Sequence, residues 1–395
     1  MAEKSYFEEQ NKAACCGCRA CEQACPTGAI IMLKDNEGFL YPEVNKSSCI
    51  NCGKCRKVCP VLKSNFENSI KSIYAVQNKD KDVLFKSTSG GVFAAIAAEV
   101  INNGGVVFGC VLKDNYAIIT STTTMDNVKK MQGSKYVSSD TKSTYKEVKK
   151  CLETGKTVFY TGTPCQVAGL VSFLGKDYDN LITADFLCHG VPSSEVFCEN
   201  IGYLENKYKG HITKYKFRDK KLKGWGHVTS FWVNEKKKYE PGSINAYFYG
   251  FINGLLNRYS CYSCVFKGIN RNSDFTVGDF WGYSGSAINA KQGVSFIAVN
   301  SDKGKQLFEK ELSSKFVIEE STIEAVAKAN PSLVSKREHK IPAERKVIYE
   351  YINKNGYKAC VKKYLKPSNY VVIKIANFIP PKLKENLMAI VRRKK

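Results

Sequence analysis

The sequence predicts an α+β chain in which a compact cysteine-rich unit precedes a larger α/β domain. Two observations carry that prediction. The first is a pair of matching cysteine runs, from Cys15 to Pro26 and from Cys49 to Pro60. The second is the stretch from Thr157 to Leu187, which reads as strand, turn, helix and strand. Such crossovers join parallel strands.

Each run spells C-x2-C-x2-C-x3-C-P, the spacing that wraps three thiolates round one corner of an iron–sulfur cube. In two-cluster ferredoxins the fourth cysteine of each run ligates the other cluster. That assigns Cys15, Cys18, Cys21 and Cys59 to one [4Fe-4S] cluster, and Cys49, Cys52, Cys55 and Cys25 to the second. Residues 1–65 are therefore expected to form a bacterial-type dicluster ferredoxin. Zinc favours pairs of C-x2-C, not triplets followed by C-P. Cys16 falls outside the pattern and reads as a bystander.

At 395 residues the chain has room for two or three domains, and 43% hydrophobic residues can fill their cores. Met1 to Lys12 is polar without a signal-peptide apolar region, and no apolar run has the length of a membrane span. Seventeen cysteines with this spacing point to a reducing cytoplasm rather than to disulfides. The formal net charge is +23. Twelve ligating thiolates and three oxidised cluster cores would leave about +17. The excess is almost all lysine, and no nucleic-acid motif appears, so no nucleic-acid partner is expected. An anionic substrate, an acidic redox partner or an anionic membrane face fits the charge better.

Between the runs, Ala29–Leu33 and Phe39–Val44 flank a turn ending at Gly38 and predict a hairpin. Residues 61–70 read as a linker. A second unit, residues 72–145, opens with a strand at Ile73–Val76. Ser87, Thr88, Ser89, Gly90 and Gly91 then lead into a helix over Val92–Ile101, stopped by Asn102-Asn-Gly-Gly105 before a strand at Val106–Leu112. Small residues at a helix start let backbone N–H groups approach a phosphate, though serine with glycine is also ordinary helix initiation. Lys142 to Glu153 is a surface helix.

Residues 146–340 hold the β–α–β unit: a strand at Thr157–Tyr160, the turn Thr161-Gly162-Thr163-Pro164-Cys165-Gln166, a helix to Leu174, and a strand at Leu181–Leu187. Cys165 and Cys188 follow strand carboxyl ends, the edge where open α/β sheets place ligands. Pro164 suits the first helical position, which puts Cys165 where the helix dipole favours a thiolate. Further on come a strand at Val228–Val233, a helix over Tyr247–Leu256 and a buried strand at Val294–Asn300. Glu320–Ala329 is expected to be helical. Cys261-Tyr-Ser-Cys264 is open to three readings: half a zinc ribbon, a redox dithiol, or, with Cys165 and Cys188, a third cluster. Cys110, Cys151, Cys198 and Cys360 have no pattern and read as core.

Residues 341–395 are expected to be a basic helical tail. Within it Leu383, Leu387, Met388, Ile390 and Val391 share one helical face, ringed by Lys382, Lys384 and Arg392–Lys395. That pattern suits peripheral contact with an anionic membrane, and docking on the protein's own core suits it as well.

From residue 72 to about 310 the chain resembles the beta subunits of the coenzyme F420 hydrogenase/dehydrogenase family. The resemblance lies in seven blocks in the family's order: Ser-Gly-Gly at 89–91, Gly-Ser-Lys-Tyr-Val at 133–137, Thr-Gly-Thr-Pro-Cys-Gln at 161–166, Cys-His-Gly-Val-Pro-Ser at 188–193, Phe-Arg-Asp-Lys at 217–220 with Gly-Trp at 224–225, Cys-x2-Cys at 261–264, and Gly-Asp-Phe-Trp-Gly at 278–282. It implies FAD bound in the α/β domain beside a third [4Fe-4S] cluster held by Cys165, Cys188, Cys261 and Cys264. The implied activity is that of an iron–sulfur flavoprotein oxidoreductase. Electrons would pass from a ferredoxin-like donor to FAD and on to an organic substrate or a coenzyme F420-like acceptor. Lys135, Tyr136 and His189 are candidates for the flavin face, and Arg218, Lys220 and Lys267 for holding an anionic group. Ser87–Gly91 and Thr161–Thr163 are the expected cofactor cradle. Reduction of envelope polysaccharides or their precursors would suit a membrane address. The alternative is an electron-transfer subunit without a substrate site, relaying electrons to a partner enzyme.

Overall fold

A computed structural model describes residues 6–334, apart from 64, 65 and 67, and residues 340–378. At its centre is an eight-stranded sheet in the order Phe316–Ser321, Ser72–Asn78, Ser295–Val299, Phe275–Asp279, Leu181–Phe186, Val158–Gly162, Val106–Lys113, Tyr116–Thr122. The four strands from Phe275–Asp279 to Val106–Lys113 run parallel, with Thr276 opposite Asp185, Thr161 opposite Ala184 and Val107 opposite Phe159. Antiparallel strands flank them on both sides. The predicted β–α–β unit supplies two of the parallel strands, so the carboxyl ends at Gly162, Phe186 and Asp279 share one edge.

Alternation along these strands feeds two cores, because successive side chains leave opposite faces of a sheet. Val107 and Phe159 pack with Ile96 and Val100 of the helix Val92–Asn102. Val106, Phe108, Val158 and Tyr160 pack with Tyr145 and Leu170 from the helices Thr144–Glu153 and Pro164–Leu174. Cys18 and Ala20 of the first cysteine run belong to that second core. A separate three-stranded antiparallel sheet, Ile212–Lys216, Val228–Val233 and Lys236–Pro241, packs against the helix Ser194–Tyr208.

The predicted hairpin is present, Ile30–Lys34 pairing with Leu40–Val44. Its Phe39 and Tyr41 are buried among Phe197, Tyr247 and Tyr349. Polar contacts clamp the unit further. Arg19 forks onto Asp140 at 2.5 and 3.0 Å, and Thr141 donates to the carbonyl of Cys18 at 3.0 Å. Arg345, fully buried, forks onto Glu37 at 2.8 and 2.5 Å.

Three expectations change. Glu320 and Ser321 belong to the edge strand Phe316–Ser321, and the helix covers Ile323–Ala327, where the Thr322 side chain accepts from the Ala325 N–H and fixes its start. Within the expected linker, Asn68–Ser69 pairs with Asn270–Arg271. Of the expected tail, Arg345–Asn355 and Tyr357–Lys363 bury Ile348, Tyr349, Ile352, Tyr357 and Cys360 in the main core. A helix follows at Tyr370–Phe378. The amphipathic stretch after Pro380 lies outside the described residues.

Candidate functional site

The two cysteine loops repeat one backbone path. Gly17 (φ 72°) and Arg19 (φ 63°) flank Cys18, and Asn51 (φ 52°) and Gly53 (φ 70°) flank Cys52 in the same left-handed conformation. Left-handed residues on both sides of the middle cysteine curl each loop, the geometry three thiolates need to share one cluster corner. Thiols of the two runs lie close enough to perturb one another. Burial raises Cys21, and the charges of Cys15, Cys59 and Cys55 raise it further. Burial likewise raises Cys55, with Cys49 and Cys52 adding to it. At Cys25 burial is the largest single influence and acts upward, but the Thr27 hydroxyl and the backbone N–H groups of Thr27, Ala29 and Ile30 together outweigh it, lower the pKa and favour the thiolate. The first set is the deeper one: Cys18 is buried, whereas Cys52 of the second set is exposed.

Cys165, Cys188, Cys261 and Cys264 come together around a cavity of about 60 Å³. Cys165 occupies the first turn of Pro164–Leu174, whose cap Thr163 forms a reciprocal pair with Gln166. The dipole does not prevail there: contact with Cys16, then burial, pushes the Cys165 thiol well above its ordinary value. Burial raises Cys188 strongly, Cys261 to about 12 and Cys264 to about 11, and neighbouring cysteines add to each. Four such thiols become thiolates together only with cationic compensation. Arg258, Lys267 and Arg271 line the same cavity. Nε and Nη2 of the buried Arg271 have no protein hydrogen-bond partner, which leaves two donors for a cluster's sulfurs. Among the described residues no three His, Cys, Asp or Glu groups converge as a single metal ion requires. Four thiols round one cavity with unpartnered Arg271 donors are a set that a [4Fe-4S] cube could use.

Cys16 is not a bystander. It lines the four-cysteine cavity, and its thiol is in hydrogen-bond contact with those of Cys165 and Cys18, so it lies between the first cysteine set and the third. Arg258 joins the same two regions, donating to the carbonyls of Cys15 at 2.7 Å and Leu40 at 2.9 Å. Nothing in the local spacing around Arg258 marks it; only the fold brings it there.

Beside this cavity is a second of about 540 Å³, in the size range of cofactor pockets. It lies over the carboxyl edge of the parallel strands. Ser87, Thr88, Ser89, Gly91, Thr161, Gly162 and Thr163 all line it, as do Lys135, Tyr136 and His189. Gly91 (φ 88°) begins the helix Val92–Asn102 without a side-chain cap, and Val92 and Phe93 also line the cavity, so uncapped helix N–H groups are available to an anion. Gly90 packs into the sheet instead. A Cβ there would lie 2.3 Å from the carbonyl of Val76.

Lys135 Nζ donates to the carbonyls of Met131 at 2.6 Å and Gln132 at 3.1 Å, and burial pushes it down to about 8. Tyr136 stacks on Phe251 at 4.7 Å. Arg218 sits behind the wall, paired with Asp279 at 2.5 Å and 5.1 Å from the centroid of Trp281. Its Nη2 is buried without a partner. Lys220 holds the carbonyls of Leu84 at 2.9 Å and Ser89 at 2.7 Å, which fixes the rim. Lys267 belongs to the cluster cavity.

The wall also contains residues whose role the sequence does not single out. Trp225 stacks on Trp281 at 4.3 Å and donates to Asp279 at 2.8 Å. His227 packs on Trp281 and Phe248, with its edge open to the cavity. Burial, then the charge of Arg218, pushes it down to about 4, so it is neutral at pH 7. Cys110, expected in the core, reaches this cavity from the middle of the strand Val106–Lys113. The two cavities share Ser139, Thr163, Gln166, Leu187, Cys188, Gly190 and Val191.

Comparison with known proteins agrees with this layout. Residues 155–325 match the family described as the C terminus of the coenzyme F420 hydrogenase/dehydrogenase beta subunit, and residues 14–62 match a 4Fe-4S dicluster domain. The chain joins a dicluster ferredoxin domain to a region similar to the C terminus of the coenzyme F420 hydrogenase/dehydrogenase beta subunit. It is thus an iron–sulfur electron-transfer protein related to that subunit. A chain of the F420-reducing [NiFe] hydrogenase complex from Methanosarcina barkeri is similar at 16% identity and a TM-score of 0.45, over 73% of this chain and 94% of that one. No curated protein matches.

Proposed function

We propose that the protein is an iron–sulfur flavoprotein oxidoreductase that takes electrons from a ferredoxin-like donor and delivers them to an organic substrate. The observation that carries this reading is the wall common to the two cavities: Cys188 and Thr163 line both, so a cluster and a cofactor would lie side by side. FAD fits the larger cavity by its size and by the uncapped helix start at Gly91. When bound, a flavin supplies the exchange between one-electron and two-electron chemistry. The chain's own residues bind and orient. Val92 and Phe93 present helix N–H groups to the phosphates, Tyr136 and Phe251 supply an aromatic wall, and neutral His227 is placed to accept a proton. Arg218 keeps positive charge behind Asp279 and Trp281. Iron and flavin analysis of anaerobically purified protein, with its visible spectrum, tests the assignment. About twelve irons and one flavin per chain are expected. Protein with full iron and no flavin would support the relay-subunit reading instead.

We also propose a cytoplasmic location with peripheral contact to an anionic membrane, a setting that suits envelope precursors as substrates. No helix among the described residues is long and apolar enough to cross a membrane. What supports surface contact is the helix Tyr370–Phe378, whose Val371, Val372 and Ile375 are 67%, 66% and 59% exposed. The basic residues of the following sequence add attraction for anionic lipid. In flotation with anionic liposomes at low salt, full-length protein should float and a chain ending at Lys366 should not. Equal behaviour of the two removes the membrane contact.

A further inference from the structure

The second cysteine loop carries an unusual surface. Cys52 is exposed, and Ile50, next to Cys49 in the same loop, is 65% exposed. From Asn45 to Lys63 the chain contains Lys46, Lys54, Arg56, Lys57 and Lys63 and no carboxylate. All five cations are exposed. Arg56 pairs with Glu8 at 2.7 Å, while none of the four lysines is paired with a described carboxylate. The neighbouring exposed carboxylate along the chain is Glu43, on the hairpin strand opposite Ile31. An exposed apolar residue within a mainly cationic rim, met by Glu8 at Arg56, is the anatomy of a transient protein docking site.

We propose that this collar is where the electron donor docks, and that the donor is a small one-electron carrier protein with an acidic surface. The inference rests on the electron-relay reading above. The chemistry is a single outer-sphere transfer: the reduced donor would lose one electron, an oxidised [4Fe-4S] cluster held by Cys25, Cys49, Cys52 and Cys55 would gain it, and no bond or proton changes hands. The collar surrounds the set that contains the exposed Cys52, whereas Cys18 is buried and all four cysteines of the third set are partly covered, so a carrier docked here has the shortest way in. Unpaired lysines on a strongly basic chain would steer an acidic partner and orient it. Such steering raises association from roughly 10⁵–10⁶ to as much as about 10⁸–10⁹ M⁻¹s⁻¹ at low salt. Ile50 would exclude water at the contact.

The test uses full-length, iron-loaded protein and a purified, reduced two-cluster ferredoxin of acidic isoelectric point. Stopped-flow reduction of the wild type should slow steeply as salt rises. The quadruple variant Lys46→Glu, Lys54→Glu, Lys57→Glu, Lys63→Glu should be reduced at least about tenfold more slowly at low salt. It should keep its iron and its rate with a small reduced viologen. A control with the same charge change elsewhere, at Lys209, Lys214, Lys236 and Lys238, should behave as wild type. Zero-length carbodiimide coupling of the wild type to the ferredoxin, mapped by mass spectrometry, reads the site without any variant. Cross-links at Lys46, Lys54, Lys57 or Lys63 are expected. Cross-links confined to other lysines, or a collar variant reduced as fast as the control, overturn the docking site while leaving the relay intact. A collar variant that loses binding to anionic vesicles but not to ferredoxin makes the face a membrane contact and also overturns it. Wild-type protein with full iron that no ferredoxin reduces would overturn the relay reading itself.

Discussion

Four thiols around one small cavity would repel one another as thiolates, so the residues that compensate them matter as much as the ligands. Arg271 offers two unpartnered N–H groups, and Arg258 spans from the carbonyl of Cys15 to the loop of Cys261. The double variant Cys165→Ala, Cys188→Ala should lose about four irons and keep the spectrum of the ferredoxin unit. Unchanged iron would remove the third cluster. A second residue-scale effect is set by Lys220, which burial, then the charge of Arg218, pushes from 10.5 to about 8. Between those values the unfolded chain holds a proton that the folded chain has released. Its contribution to stability therefore rises with pH through that window and is absent below it. Comparing denaturant midpoints at pH 8 and 9.5, Lys220→Met should show a shallower rise than wild type, by about 1–2 kcal/mol. Parallel slopes would mean that the amine is not held in a desolvated site.

At the scale of elements, the carboxyl edge of the sheet does the placing. Thr161–Thr163 and Cys188 are legible in the sequence because strand, turn and helix signals lie within a few residues of each other. His227 and Cys110 are not, because nothing local tells that the loop before one strand and the middle of another meet at one cavity. Cys16 escapes for a related reason: its spacing fits no ligand pattern, and its importance comes from the helix Pro164–Leu174 packing against the first run. The start of Val92–Asn102 is legible as open to an anion, yet only the structure separates its glycines. Gly91 borders the cavity, while any side chain at Gly90 strikes the carbonyl of Val76. Gly90→Asp would therefore damage the sheet and say nothing about a ligand. Thr88→Glu is the cleaner probe, since Thr88 lines the cavity and accepts from the Ser134 N–H at 3.0 Å. A carboxylate there should repel a phosphate and leave protein with full iron and little flavin. Retained flavin would move the phosphate site elsewhere.

Across the whole molecule, the second cysteine set holds the exposed Cys52, the first reaches the third through Cys16, and the third borders the large cavity through Cys188. That order holds only while the ferredoxin unit stays docked. The sequence suggests separable units, but the cores cross the expected boundaries: Phe39 and Tyr41 pack with Ile348 and Tyr349 from the far end of the chain. Binary patterning shows that a strand has an apolar face without showing which distant helix will cover it. The pair Glu37–Arg345 locks this junction. Arg345 is fully buried, donates through Nε to the carbonyl of Asn257 at 2.7 Å, and lies 4.4 Å and 4.5 Å from the ring centroids of Tyr259 and Tyr349. Removing one partner of a buried pair leaves a desolvated charge and costs about 3–5 kcal/mol, whereas replacing both by apolar groups is often near neutral. Glu37→Leu should therefore lower the unfolding midpoint markedly, and hydrogen exchange should rise together in residues 30–44 and 345–355. The double variant Glu37→Leu, Arg345→Leu should recover most of the loss. If the single variant is as stable as wild type, the pair does not hold the unit in place and the docking rests on the shared apolar core.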